Sequence, residues 1–273
     1  RASFNWKDQW RSIDKSFQTY ALSFDHSLFR RQWKNAYIAY GLYLYRDVAG
    51  SVKYGTTQIL GSIAPTLKVG KNSTLTAGVQ FGWGNQSVDP SQFRWLKQYD
   101  GLNYDPTITS TESIAFAPKN YADIGAGISY WYQRPETEDF VNDVLEIKAG
   151  LALHHINKPS VSFYTLDTEK MPMRFTVHLN GYFGLKNTTW GLWPQVNYSH
   201  EGIHNELMVG MLTRVLIQSS SKKTGYIKEI ALSMGAHARI SQPFDAIIPQ
   251  IFFEYTDFAL GMSYDINVSK LRG

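Results

Sequence analysis

Residues 75–84 run Leu75-Thr76-Ala77-Gly78-Val79-Gln80-Phe81-Gly82-Trp83-Gly84, and their alternation decides the fold. The odd positions Leu75, Ala77, Val79, Phe81 and Trp83 are apolar, whereas the even ones are small or polar. Successive side chains of a strand point to opposite faces, so this stretch makes one apolar wall and one polar wall. The pattern recurs along the chain. In 145–154, Leu145, Ile147, Ala149, Leu151 and Leu153 alternate with Glu146, Lys148, Gly150, Ala152 and His154. In 258–268, Phe258, Leu260, Met262, Tyr264, Ile266 and Val268 alternate with Ala259, Gly261, Ser263, Asp265 and Asn267. A fourth copy spans 175–185, with Arg174, Thr176, His178 and Asn180 on its polar side.

A soluble sandwich would alternate in the same way with its apolar face turned inward. Two features favour a membrane barrel instead. The segments run to about 10–14 residues, close to the tilted length that a bilayer requires and longer than the usual strand of about 5–6. Aromatics also gather toward segment ends, at Trp83, 130–132, Trp190, Trp193, Phe252, Phe253 and Tyr255, where interface girdles form. Aromatics make up 15% of the chain while its mean hydropathy is only −0.30, as expected when one face meets lipid and the other water. No window approaches the roughly 18 consecutive apolar residues of a spanning helix. If the chain crosses a membrane it does so as a closed barrel, which satisfies every backbone hydrogen bond.

The net charge of +4 is scattered, with Arg30-Arg31 and Lys222-Lys223 in expected turns, and no basic stripe suggests nucleic acid. There is no cysteine, which excludes disulfide scaffolds, thiolate metal sites and cysteine nucleophiles. A chain beginning at Arg1 is expected to be processed or trimmed, and its targeting is unreadable.

Thirteen segments are expected as strands: 2–11, 16–27, 33–46, 54–69, 73–85, 121–133, 143–154, 173–186, 189–199, 204–217, 224–239, 245–256 and 257–268. Closed antiparallel barrels usually have an even number, so a fourteenth strand is expected after Gly273. Tight turns at 70–73, 186–189 and 256–257 all join an even strand to the next odd one, and the long connections 86–120 and 155–172 lie at the opposite end. Because such barrels have short periplasmic turns and long external loops, both long loops are expected outside and both termini in the periplasm. Only 133–142, long and acidic, fits a periplasmic turn poorly. No linker interrupts the pattern, so residues 1–273 are expected to form one all-β domain, an antiparallel transmembrane barrel of about 14 strands.

Several motifs coincide in order and spacing: 24–29 (FDHSLF), 46–50 (RDVAG), 78–84 (GVQFGWG), 87–89 (SVD), 98–101 (QYDG), 104–106 (YDP), 154–159 (HHINKP), 171–178 (MPMRFTVH) and 263–271 (SYDINVSKL). Over nearly the whole chain this resembles the PorP/SprF family of Bacteroidota outer-membrane proteins, associated with type IX secretion and gliding motility. The resemblance implies a barrel that serves the secretion, or the cell-surface attachment, of large adhesins carrying a type B C-terminal domain. It also implies partners among type IX components or periplasmic lipoproteins, and outer-membrane lipid around the barrel. The resemblance further implies an opening segment before the first expected strand and a closing strand after 269–271, both expected to lie outside residues 1–273, in keeping with the odd strand count.

His154, His155, His178, His204 and Glu206 invite a zinc reading, but zinc needs about three convergent ligands, and histidines in hydrogen-bond networks of the lumen or the loop bases are the favoured explanation. Ser199-His200 is merely adjacent in sequence, and no nucleophile-elbow pattern accompanies it. No catalytic residue, cofactor or metal is therefore expected. In the loop 86–120, Trp95, Tyr99 and Tyr104 are the kind of aromatic anchors that dominate protein interfaces; with Asp100, and Asp47 from the smaller loop between the third and fourth strands, they form the expected partner-binding surface. Alternatively, Asp100, Asp105 and Arg174 form a salt-bridge network at the mouth. Glu146, Lys148, Arg174, His178, Glu229 and Asp265 are expected to face the lumen, where small residues such as Gly78, Gly82, Gly84, Gly125, Gly127 and Gly150 leave room for an inserted polypeptide. The main functional expectation is an anchoring or secretion-partner barrel. The alternative is a channel for small or hydrophobic solutes, and an outer-membrane hydrolase ranks third.

Overall fold

The computed structural model describes residues 1–9, 16–30, 32–109, 118–136, 141–163, 169–218, 228–241 and 244–268. Residues 10–11 and 224–227 of two expected strands, together with Arg31, Lys222 and Lys223, lie outside the described residues. The described chain folds into fourteen strands: β1 (Ala2–Gln9), β2 (Phe17–Leu28), β3 (Ala36–Ala49), β4 (Tyr54–Gly70), β5 (Ser73–Ser87), β6 (Lys119–Arg134), β7 (Leu145–His154), β8 (Arg174–Gly184), β9 (Trp190–Glu201), β10 (His204–Gln218), β11 (Ile230–Ile240), β12 (Phe244–Tyr255), β13 (Phe258–Ser263) and β14 (Ile266–Asn267). All belong to one antiparallel sheet whose order follows the chain from β1 to β13, with β14 also pairing β12. No helix among the described residues is long and apolar enough to cross a membrane.

Burial matches a barrel wall and is the reverse of a soluble core. The buried strand side chains Leu60, Thr66, Tyr121, Asp123, Leu212, Ser233, His237 and Ile248 all occupy inward positions and include polar groups. The outward positions carry exposed Leu22, Leu42, Ile63, Phe81, Ile128, Leu151, Leu179, Val209, Ile251 and Leu260. An apolar surface of this extent is not left in water. Outward aromatics mark both edges of the band, with Tyr20 and Trp83 toward the end bearing the long loops and Tyr130, Phe183, Trp190, Phe253 and Tyr255 toward the other.

Three prolines shape the ladders. Pro65, Pro194 and Pro249 each keep a register partner on one side, namely Ile38, Met211 and Ala236. Facing β5, β8 and β13 respectively, the pairing is interrupted beside each of them. Proline has no N–H to donate there. At Pro249 the carbonyl still accepts from Tyr264 N–H at 3.2 Å, but no bond returns. The thirteenth expected strand, 257–268, is consequently split into β13 and β14. Arg239 fastens the break by donating to Asp245 at 2.7 Å and Asp265 at 2.8 Å. The sheet is not closed: β1 and β13 are its edges and run in the same direction.

The long connections between β5 and β6 (88–118) and between β7 and β8 (155–173) lie at one end, as expected. Among the described residues on the opposite side of β10, β11 begins at Ile230. The misfit at 133–142 has a structural reason. Buried Asn142 donates to the carbonyls of Thr188 at 2.9 Å and Trp190 at 2.7 Å, seating this segment on the β8–β9 turn.

Candidate functional site

The connection after β5 builds a compact knob over 89–109 from two short 3₁₀ turns, Pro90–Gln92 and Leu96–Gln98. Buried Gln98 organises it. Its side-chain oxygen accepts from Trp95 N–H at 3.2 Å and from the Tyr104 hydroxyl at 3.1 Å, while its amide donates to the Ile108 carbonyl at 3.1 Å. Asp100 accepts from the N–H groups of Leu102 at 2.8 Å and Asn103 at 2.6 Å. Asp105 accepts from the hydroxyl and N–H of Thr107 at 2.6 and 2.8 Å. Side-chain-to-backbone bonds of this kind are how Asp fixes turns. The bonds from Asn103 and then Leu102 hold the Asp100 carboxyl below its ordinary range, and those from Thr107 do the same for Asp105.

Of the expected partner-binding residues, Trp95, Tyr99, Asp100 and Tyr104 therefore come together in the knob, but in different roles. Trp95 packs on Phe93 with ring centroids 5.4 Å apart, and Arg94 lies over Tyr104 at 5.2 Å. Tyr99 remains 52% exposed. The most exposed apolar side chains of the knob are aliphatic: Leu96 at 87% and Leu102 at 84%. Neither was anticipated, since nothing in a loop sequence tells which side of a 3₁₀ turn faces solvent. Asp47 is not in the loop between β3 and β4; it lies inside β3, where the strand extends to Ala49, and accepts from the Thr19 hydroxyl at 2.5 Å.

The alternative network at the mouth does not form. Asp100 and Asp105 are committed to their own turns, and Arg174 pairs with Glu201 at 2.6 Å. The lumen residues likewise form separate groups. Glu146 pairs with Lys148 at 2.5 Å, and the Lys148 ammonium sits 5.1 Å from the Trp131 ring. Asp265 belongs to the Arg239 group. Arg214 bridges Glu229 at 2.7 Å and Glu254 at 2.6 Å. The His178 ring covers Gly150, and Tyr121 covers Gly84 in the same way. At these two glycines the expected free room is filled by a ring from the neighbouring strand, a known way of shielding strand glycines.

The β7–β8 connection folds inward as a strap. His155, in a left-handed conformation (φ 58°), is buried and bonds Asp123 through Nδ1 at 2.9 Å. Asn157 mimics another strand residue, accepting from Ile124 N–H at 3.1 Å and donating to the Ala122 carbonyl at 2.7 Å. Ser160 and Lys170 then form an antiparallel bridge, and Phe163 reaches Tyr54 at the start of β4, with ring centroids 6.3 Å apart.

Ser199 and His200 lie on opposite faces of β9, and His200 bonds Asn205 at 2.6 Å. Among the described residues no three His, Asp or Glu side chains converge as metal ligands would.

An inward-polar, outward-apolar sheet with these loops coincides with a family match over residues 1–273 to the type IX secretion system membrane protein PorP/SprF. The chain belongs to the PorP/SprF family. Membership makes it a membrane component associated with the type IX secretion system, and the sheet with its lipid-facing girdles fits the outer membrane. Neither the curated proteins nor the solved structures provide a match.

Proposed function

We propose that this PorP/SprF barrel is a noncatalytic partner of a secreted surface adhesin with a type B C-terminal domain, acting in its secretion or holding it at the cell surface during gliding. The knob carries the proposal. Its backbone is fixed by Gln98, Asp100 and Asp105, and it offers Leu96, Leu102 and Tyr99 to solvent at the long-loop end. A preorganised loop that exposes aliphatic side chains can bind a polypeptide without first losing conformational entropy. On this reading the long loops are external and both termini periplasmic. The strap across the mouth speaks against the alternative, a solute channel.

The test is to purify the tagged protein from native outer membranes in mild detergent and identify what accompanies it by mass spectrometry. A large secreted adhesin or type IX components should co-purify, and deletion of 93–106 should release the adhesin. A barrel that emerges alone from several detergents and conducts ions would overturn the proposal.

A further inference from the structure

The tight-turn end of the barrel is unevenly charged. The β2–β3 turn and the β4–β5 turn lie side by side, because Lys68 N–H donates to the Asn35 carbonyl at 2.8 Å and its ammonium to the Lys34 carbonyl at 3.5 Å. Exposed Arg30, Lys34, Lys68 and Lys71 are thereby gathered into one sector. Neither 28–39 nor 63–80 contains an Asp or Glu. No described carboxylate forms an ion pair with any of the four cations, whereas across the same rim Arg214 is held by both Glu229 and Glu254.

Apolar groups flank these charges. Phe29 and Trp33 stack with ring centroids 4.9 Å apart and stay 42% and 45% exposed. The adjoining outward positions Leu67 and Val69 are 53% and 55% exposed, so the lipid-facing wall ends at this turn. Aromatics at the edge of an apolar band sit at headgroup depth, and nearby cations attract anionic lipid.

We infer that the β2–β5 sector of the tight-turn rim is a binding site for an anionic phospholipid, with its phosphate among Arg30, Lys34 and Lys71 and its chains along Leu67 and Val69. The continuity of the cations with the lipid-facing wall favours a lipid over an acidic protein, whose surface would not need that wall. The inference rests on the barrel standing in a membrane and not on adhesin binding.

The test adds phosphatidylglycerol or phosphatidylcholine to the delipidated full chain in detergent and reads the retained lipid by native mass spectrometry. Phosphatidylglycerol should be retained preferentially, and the combination R30Q, K34Q and K71Q should weaken it at least about tenfold, or about 1.4 kcal/mol. K186Q with K228Q, elsewhere on the rim, should leave retention unchanged. The heat-dependent gel mobility typical of folded barrels checks each variant, and K34Q alone serves if the triple variant misfolds. Equal retention of the two lipids, an unaffected cation variant, an equal loss in K186Q/K228Q, or an acidic protein occupying the sector in the native preparation would each overturn the inference.

Discussion

The two long loops at the same end of the barrel are built on opposite plans. The knob between β5 and β6 satisfies its polar groups internally, through Gln98, Asp100 and Asp105, and turns Leu96 and Leu102 to solvent. The strap between β7 and β8 is fastened to other strands, through His155 to Asp123, Asn157 to the β6 backbone and Phe163 to Tyr54. A loop that is complete in itself can present a surface, whereas a loop completed by the wall closes space. The two should therefore separate cleanly by mutation, one governing partner capture and the other the passage of ions.

The largest effect is expected at the knob. Buried interface anchors cost about 2 kcal/mol or more each when lost, so L96D combined with L102D should reduce adhesin capture more than about a hundredfold in a quantitative pull-down. Thermal unfolding of the barrel should be unchanged. If capture survives, the two loops do not divide the work as described.

Next is the strap latch. Asp123→Ala leaves buried His155 without its partner, a loss of about 1–3 kcal/mol. The strap should become open to protease within 155–173, and ion conductance should appear in planar bilayers while adhesin capture persists. Asn157→Ala removes two bonds to the β6 backbone and should do the same more weakly, by about 1 kcal/mol.

The smallest effect is that of acid on the knob. Because the Asp100 and Asp105 carboxyls are held below their ordinary range, their contribution is complete above the unfolded value of about 3.9 and is lost as pH falls through the lowered folded values. Amide-exchange protection at Leu102, Asn103 and Thr107 should thus hold at pH 5 and decline only in stronger acid, below about pH 4. Protection that already falls between pH 7 and 5 would show that the aspartates do not order the knob.

How much of this was legible in the sequence follows from the range of the forces involved. Alternation is local, so the wall could be read directly from stretches such as 75–84 and 145–154, with their faces correctly assigned. The split of the thirteenth strand is less local, yet it had a signal in Pro249, whose missing N–H faces β13. Asp47 was misplaced because β3 continues past Arg46 to Ala49. The latch was not legible: Asp123 and His155 are 32 residues apart, and only register brings them together. In the knob the aromatic signal led to Trp95 and Tyr104, which pack within the loop, while Leu96 and Leu102 owe their exposure to turn geometry.

The most direct test of this division is a photo-crosslinking amino acid placed in living cells at Leu102 and, separately, at Phe163. Leu102 is predicted to crosslink to a large secreted polypeptide, and Phe163 only to the barrel's own chain. A secreted polypeptide captured from position 163, with none from position 102, would contradict the account.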